Sequence, residues 1–148
     1  MTNESRRSRS DAGFTLIELM VVLIILGLLA AVVVPKLTGQ SEEARVKVAK
    51  TQIKLLEDAV NQFEVENGFF PSTEQGLQAL VTQPTSGREA KKWRKGGYLD
   101  RLPQDPWGND FRYMSPGTKG AFDIMSFGAD GMPGGEDNNA DITNWDIR

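Results

Sequence analysis

The carboxyl-terminal stretch GADGMPGGEDNNADITNWD concentrates side chains that offer oxygen atoms as ligands. Such oxygens in a glycine-rich loop suit calcium, which takes ~6–8 of them. The spacing is not that of an EF-hand, because Gly131 follows the first aspartate directly. Two interpretations stay open from the residue types, a calcium site and a solvated acidic loop. The oxygen-bearing residues are Asp130, Glu136, Asp137, Asn138, Asn139 and Asp141.

The chain of 148 residues contains no histidine and no cysteine. It therefore lacks the usual general base, the commonest zinc ligand, the thiol nucleophile and any disulfide. A net charge of −3 does not indicate a polyanion binder. We predict that the chain is not an enzyme. The catalytic alternative is a calcium-dependent hydrolase that would use Asp130, Asp137 and Asp141.

Glu18 is the only charged residue in an apolar run of 21 residues from Phe14 to Val34. As a helix this run would be about 31 Å long, close to the thickness of a bilayer core. A carboxylate at the centre of a spanning helix costs about 2.5–3.5 kcal/mol on insertion scales. Arginines 6, 7 and 9 precede the run, so the positive-inside rule predicts a cytoplasmic amino terminus and an exported remainder.

Gly13 and Phe14 mark a possible processing site ahead of the apolar run. A secretory signal peptide would be cut after its apolar core, where LAAVVVPKLTG offers a poor small-residue site. Cleavage between Gly13 and Phe14 would instead leave the helix on the mature chain and create an α-amine four residues from Glu18. Residues at i and i+4 share a helix face, so the two charges could neutralise each other, within one chain or between chains. The alternative is that Glu18 reaches the headgroups.

The helical pattern continues beyond this run. Gly27 and Pro35 weaken the helix, and proline can kink it. Asn67-Gly68 then ends the helix, because glycine suits the left-handed position after a helix end. Apolar residues recur in steps of three and four, which predicts a helix with one buried stripe. The stripe consists of Val46, Ala49, Ile53, Leu56, Val60 and Phe63.

The remainder of the chain has the signals of a small mixed domain. Ser72 and Gln75 resemble a capping box ahead of a short helix. Residues 111–114 and 121–125 are predicted to form short strands, and SPGTKG between them suits a hairpin loop. Trp107 is expected to anchor a turn, and the basic stretch TSGREAKKWRKGGY to form a solvated loop that does not bind nucleic acid. We predict an α+β fold in which a long amino-terminal helix packs on a small antiparallel β-sheet.

The segment GFTLIELMVVLIILGLLAAVVVP resembles the processing and membrane segment of type IV pilin-like proteins. The resemblance implies that a prepilin peptidase cuts after Gly13 and methylates the new amino terminus at Phe14. It implies that Glu18 pairs with the amine of a neighbouring subunit. It also implies that the helix between Gly27 and Pro35 loosens when subunits assemble.

The segments LPQDPWGNDFRY, FGADG and ADITNW resemble the major pseudopilins of type II secretion systems. That resemblance implies one Ca²⁺ in the carboxyl-terminal loop. Asp130 and Asp141 match the acidic positions of the family pattern. Asp137 and Asn139 lie in the part of the loop whose length varies, and Ala140 stands where some relatives have a second acid.

From these features we expect a leader at 1–13, a membrane and filament-core helix at 14–37, its amphipathic continuation at 38–67 and a periplasmic domain at 68–148. The resemblance to pseudopilins implies that the chain is the major subunit of a periplasmic pseudopilus that drives folded proteins across the outer membrane. Its expected partners are its own copies, minor pseudopilins, the inner-membrane assembly platform and prepilin peptidase, with the inner membrane as its location before assembly. The alternative is a type IV pilin of a surface or DNA-uptake pilus.

Overall fold

The computed structural model describes residues 14–147, except for the side chains of residues 30–40. The predicted leader, Gly13 and the side chain of Pro35 lie outside the described residues. Two compact units meet in the sequence between Gly39 and Gln40. The elements are helix α1 (Leu16–Asn67), a 3-10 helix (Leu77–Leu80), strand β1 (Arg112–Met114), strand β2 (Asp123–Ser126), a second 3-10 helix (Asp137–Asn139) and strand β3 (Ile142–Thr143).

The first unit contains the amino-terminal part of α1. Thr15 precedes the helix, and its hydroxyl oxygen accepts a hydrogen bond from the amide of Glu18 at 3.3 Å. This is the geometry of an amino-terminal cap. The large apolar side chains from Phe14 to Leu29 are 47–80% exposed. A helix that is apolar on every side is stable only when lipid or protein covers it.

Among the residues described in full, no helix is both long enough and apolar enough to span a membrane. The membrane segment expected at 14–37 stays a prediction.

The second unit begins with the carboxyl-terminal part of α1. Five residues of the predicted stripe are 0% exposed, and Val46 is half-buried. The stripe is therefore confirmed as the side of the helix that faces the core. The helix ends at Asn67, and Gly68 follows with φ 77°. This confirms the predicted end, because a side chain at Gly68 would strain that conformation.

The sheet is antiparallel, with the order β1-β2-β3. The predicted strand 111–114 is confirmed except for its first residue. The predicted strand 121–125 starts two residues too early, because Ala121 belongs to the hairpin loop and its carbonyl accepts a hydrogen bond from Gly117 at 3.2 Å. Strand β3 was not predicted.

The predicted short helix exists, but it is a single 3-10 turn over Leu77–Leu80. Both bonds of the capping box are present: the Ser72 amide donates to Gln75 Oε1 at 3.1 Å, and the Gln75 amide donates to Ser72 Oγ at 3.2 Å. Gly76 then adopts φ 60° and ψ −169°. This positive-φ glycine separates the box from the turn, and its conformation prevents one continuous α-helix.

The sheet and the 3-10 turn at Leu77–Leu80 bury their apolar side chains in one cluster with the α1 stripe. Phe63 lies in this cluster, with its ring centroid 5.5 Å from that of Phe69 and 5.4 Å from that of Tyr98. The core thus joins α1 to the sheet, and the predicted α+β class is confirmed. Outside α1 the cluster contains Leu77, Ala79, Leu80, Ala90, Phe111, Phe122, Ile124 and Ile142.

Candidate functional site

The acidic loop is held at both ends by the sheet. Strand β2 leads into it and strand β3 leaves it, and Ser126 pairs with Ile142 across the two strands. The backbone also closes on itself inside the loop, where the Ala129 amide donates to the Asn138 carbonyl at 3.3 Å. The sheet therefore fixes where the acidic residues can lie.

Within the loop, two of the predicted ligands accept local hydrogen bonds. Asp130 Oδ1 accepts from the Met132 amide at 3.0 Å, and Asp141 Oδ2 accepts from the Gly134 amide at 2.9 Å. Asp137 begins the second 3-10 helix with φ 53°. Asp130, Asp137 and Asn139 are exposed, whereas Asp141 is half-buried.

Across residues 14–147, no three carboxylate, imidazole or thiol side chains are arranged to hold a metal ion together. The structure therefore does not bring Asp130, Asp137 and Asp141 into one ligand set. One atom nevertheless fits a cation. Asp141 Oδ1 is buried and has no hydrogen-bond partner, and a buried carboxylate oxygen in that state is costly. The loop also contains further carboxylate and amide oxygens, the kind of ligand that calcium prefers.

Close backbone contacts also shape this loop. At Gly135, where φ is 88°, a Cβ would lie 2.3 Å from the Asn139 carbonyl oxygen. Only glycine allows the two backbone segments to approach so closely. The close approach of Gly135 therefore fixes where the Asn139 carbonyl lies. This backbone oxygen is a candidate ligand beside the side-chain oxygens that the sequence indicated.

The amino-terminal candidates lie on the exposed first unit. Phe14 is 78% exposed, and the Glu18 side chain is exposed as well. Phe14 and Glu18 are four residues apart at the start of α1, which is the spacing on which the predicted charge pairing depends. Helix α1 runs without interruption through Gly27, around which nothing lies within 4 Å of an added Cβ.

Comparison with known sequences identifies the family of this chain. A family model described as "Type II secretion system (T2SS), protein G" matches residues 36–145. The chain belongs to this family. A second model, described as "Prokaryotic N-terminal methylation motif", matches residues 8–34, which contain Gly13, Phe14 and Glu18.

Curated relatives in the protein G family resemble the chain over almost its whole length. Type II secretion system core protein G of Pseudomonas aeruginosa is 54% identical over 138 residues, which cover 93% of this chain and 97% of the relative. The protein of the same name from Vibrio cholerae is 51% identical over 143 residues, which cover 97% of each chain. These relatives favour the pseudopilin interpretation over a surface or DNA-uptake pilin.

A solved structure resembles the chain in fold. It is the crystal structure of the major pseudopilin from the type 2 secretion system of enterohaemorrhagic Escherichia coli, which is 40% identical, with a TM-score of 0.69. The match covers 76% of this chain and 92% of that one. The predicted pilin-like arrangement of a long helix and a small antiparallel sheet is thereby confirmed for this member of the protein G family.

A buried carboxylate that the sequence did not indicate lies at the turn DPWGN. Asp105 is 4% exposed. Its Oδ1 accepts from the amides of Trp107 at 3.1 Å and Asn109 at 2.8 Å, and its Oδ2 accepts from the Ser126 hydroxyl at 2.6 Å. The local sequence could have indicated only the bond from the Trp107 amide, because aspartate in a turn commonly accepts from the backbone amide two residues later. Trp107, predicted as an anchor, is half-buried and donates through Nε1 to Glu42 Oε2 at 3.1 Å.

The basic loop is more firmly attached than the sequence predicted. Trp93 is half-buried and donates through Nε1 to the Ala79 carbonyl at 2.8 Å. Arg94 pairs with Glu66 on α1, and the hydrogen bond from Arg94 lowers the pKa of Glu66. Burial raises the pKa of Tyr98, whose hydroxyl donates to Glu66 at 3.0 Å. The expectation of a solvated loop is confirmed for its basic residues, which are exposed. Trp93 is an exception, because its indole hydrogen-bonds to the backbone of the 3-10 helix.

Proposed function

We propose that this chain is the subunit that polymerises through α1 into the periplasmic pseudopilus and so drives secretion of folded proteins across the outer membrane. One observation carries the proposal. A protein G domain and a methylation motif adjoin in one chain. From Leu16 onwards the motif lies on α1, and the large apolar side chains from Phe14 to Leu29 are exposed. Such a surface requires lipid before assembly and other copies of the helix after it. The role is structural and not enzymatic.

The first step is removal of residues 1–13 by prepilin peptidase, followed by methylation of the Phe14 amine. The match of the methylation motif to residues 8–34 supports this step. Mass spectrometry of the chain purified from membranes with an active peptidase tests it. The expected mature chain begins at Phe14 and carries one added methyl group. A mature chain that begins upstream of Phe14 would contradict the proposal.

The second step is alignment of neighbouring subunits by Glu18, which pairs with the Phe14 amine of another copy. The exposure of both residues leaves them accessible to a second chain. An ion pair in an apolar setting costs far less than a lone carboxylate. Glu18→Ala should keep membrane insertion and lose filament formation, as measured by shearing and electron microscopy. Glu43→Ala, which changes an exposed glutamate of the second unit, is the matched control. Normal filaments from Glu18→Ala would refute the pairing.

Before assembly, the chain resides in the inner membrane with a cytoplasmic amino terminus and a periplasmic carboxyl-terminal domain. The charge pattern around residues 14–37 supports this orientation. Its assembly partners are further copies of itself, minor pseudopilins and the inner-membrane platform, and no nucleic acid is involved. In cells that lack prepilin peptidase and so retain the leader, protease added to spheroplasts should digest the domain after residue 38 and spare an amino-terminal tag. Protection of the domain would contradict this orientation.

Loosening of α1 between Gly27 and Pro35 accompanies assembly. Gly27 has open space around it, so Gly27→Ala changes helix propensity without a clash. Alanine favours the helix by about 1 kcal/mol over glycine. The variant should therefore slow filament growth in a timed assembly assay. Growth at the unchanged rate would count against loosening at this position.

A Ca²⁺ ion bound in the acidic loop stabilises the periplasmic domain. Its proposed side-chain ligands are Asp130, Asp137 and Asp141, with Asn139 as a further oxygen donor. Because the described loop does not bring the three carboxylates together, binding requires the loop to rearrange around Asp141. The support is the buried, unpartnered Oδ1 of Asp141. Binding to the folded state appears as folding stability. Calcium should raise the melting temperature of the mature chain and a chelator should lower it; equal melting temperatures would remove calcium from the proposal.

A further inference from the structure

A chain of hydrogen bonds runs from the acidic loop towards α1. It starts at Gly128, a buried residue with φ 64°, where a Cβ would lie 2.9 Å from the Ala140 carbonyl oxygen. The Gly128 amide donates to Ser126 Oγ at 3.3 Å, and the Ser126 hydroxyl donates to Asp105 Oδ2 at 2.6 Å. Two hydrogen bonds thus connect the backbone of the loop to the buried carboxylate of Asp105, which lies on the turn DPWGN.

The same carboxylate fixes the segment that contacts α1. Asp105 Oδ1 accepts from the amide of Trp107, and the indole of Trp107 donates to Glu42 at 3.1 Å. A second bond lies beside it, where Gln52 Nε2 donates to the Gln104 carbonyl at 2.9 Å. Two points of α1, ten positions apart in the sequence, are thus attached to the residues on either side of Asp105.

We propose that Asp105 is a positioning residue that couples the order of the loop at 128–141 to the order of α1 at 41–52. Both carboxylate oxygens are in use: Oδ2 accepts from Ser126, and Oδ1 accepts from two amides of the turn that carries Trp107. A displacement of Ser126 removes a bond from a buried charge, which is costly, so the turn that carries Trp107 must adjust. The proposal does not depend on which ion, if any, the loop binds.

The test is a double-mutant cycle read by amide hydrogen exchange of the full mature chain in detergent micelles. Gly135→Ala perturbs the loop, because its Cβ would lie 2.3 Å from the Asn139 carbonyl oxygen. Ser126→Ala removes the hydroxyl that joins loop and carboxylate. In the otherwise unchanged chain, Gly135→Ala should accelerate exchange at residues 41–52 by on the order of tenfold. In the Ser126→Ala background it should accelerate exchange there by less than about twofold.

Two further variants make the result specific. Trp107→Phe keeps a ring and removes only the indole donor, so it should reduce the effect of Gly135→Ala. The bond from Gln52 to the Gln104 carbonyl is then the remaining link to α1. Thr118→Val is the matched control, because it removes a hydroxyl that donates to the buried Asp123 at 2.7 Å, away from this chain of bonds. In that background the tenfold effect should remain.

Residues 56–63 of α1 report whether a variant merely lowers global stability, since general unfolding would accelerate exchange there equally. If Gly135→Ala fails to fold, Gly134→Ala replaces it, because its Cβ meets nothing within 4 Å and only its φ of 95° is strained. An effect of the loop variant that is equally large in the Ser126→Ala and Trp107→Phe backgrounds overturns the proposal. Equal acceleration at 41–52 and 56–63 overturns it as well.

Discussion

Replacement of Asp141 by asparagine should change stability in opposite directions with and without calcium. The two carboxylate oxygens of Asp141 have different environments. Oδ2 accepts the Gly134 amide at 2.9 Å, whereas Oδ1 is buried without a partner. An asparagine can keep the first bond through its own oxygen. It then places an uncharged amide group where the unpartnered carboxylate oxygen was.

The magnitude follows from these two atoms. A buried, unsatisfied polar group costs about 1–3 kcal/mol, and more when it is charged. In chelator, Asp141→Asn should therefore be more stable than the unchanged chain by about 1 kcal/mol, or roughly 4 °C in melting temperature. With calcium at a hundredfold excess over its dissociation constant, the unchanged chain gains about 2.7 kcal/mol. The variant lacks a charged ligand and loses most of that gain, so the order of stabilities reverses.

The assay is thermal unfolding of the mature chain in detergent, followed by circular dichroism in chelator and in calcium. Asp130→Asn is the matched control, because Asp130 is exposed and its accepting bond comes from a neighbouring amide. In chelator that control should stay within about 0.5 kcal/mol of the unchanged chain. The reasoning is refuted if Asp141→Asn is the less stable chain in chelator, since Oδ1 would then not be an uncompensated charge.

Three further predictions concern the domain that carries the loop. Phe63→Ala should lower the free energy of unfolding by about 3–5 kcal/mol in urea titrations, because Phe63 is 0% exposed, while Leu55→Ala, at 50% exposure, should cost far less. Burial raises the pKa of Tyr113 from 10.0 to about 12, so the folded chain holds the phenol proton at pH values where the unfolded chain has lost it. The free energy of unfolding should therefore fall as pH rises from 10 to 12. Tyr113→Phe should make that fall smaller. The hydrogen bond from Arg94 lowers the pKa of Glu66 below 4.5, so the stabilisation by the ionised carboxylate is present above pH 4.5 and is lost as pH falls through the lowered pKa. Glu66→Gln should therefore reduce the fall in melting temperature as pH is lowered. An unchanged fall would contradict this cause.

The helix could be predicted from the sequence because its signal is local. Apolar residues in steps of three and four define a stripe, and a stripe requires no knowledge of what covers it. The end of α1 at Asn67 could be predicted for the same reason, since Gly68 adopts the left-handed conformation at the next position. The fold class followed because a stripe of this length needs a sheet or another helix against it.

The sheet was less predictable because its strands depend on distant partners. Strand β3 has only two residues, Ile142 and Thr143, within a polar stretch. It exists because it pairs with β2 about 16 residues earlier in the chain. The start of β2 was placed too early because the Asp123 carboxylate binds the Thr118 amide at 2.6 Å and shapes the hairpin loop. Alternation of apolar residues cannot show either contact.

Residue type alone also could not separate the roles of three aspartates in the second unit. Asp105 and Asp123 are almost completely buried, yet both of their oxygens accept hydrogen bonds from amides and hydroxyls of the same domain. Asp141 is half-buried and uses only one oxygen. Folding thus consumes the ligand capacity of the first two carboxylates and leaves part of it at the third. A count of acidic residues therefore overstates the number of metal ligands, and the better criterion is the acceptor capacity that remains after the chain has satisfied its own donors. By that criterion, substitution of Asp123 should lower stability equally in calcium and in chelator, because its partners lie in the hairpin loop. Changes in the loop that contains Asp141 should instead alter the difference in stability between the two conditions.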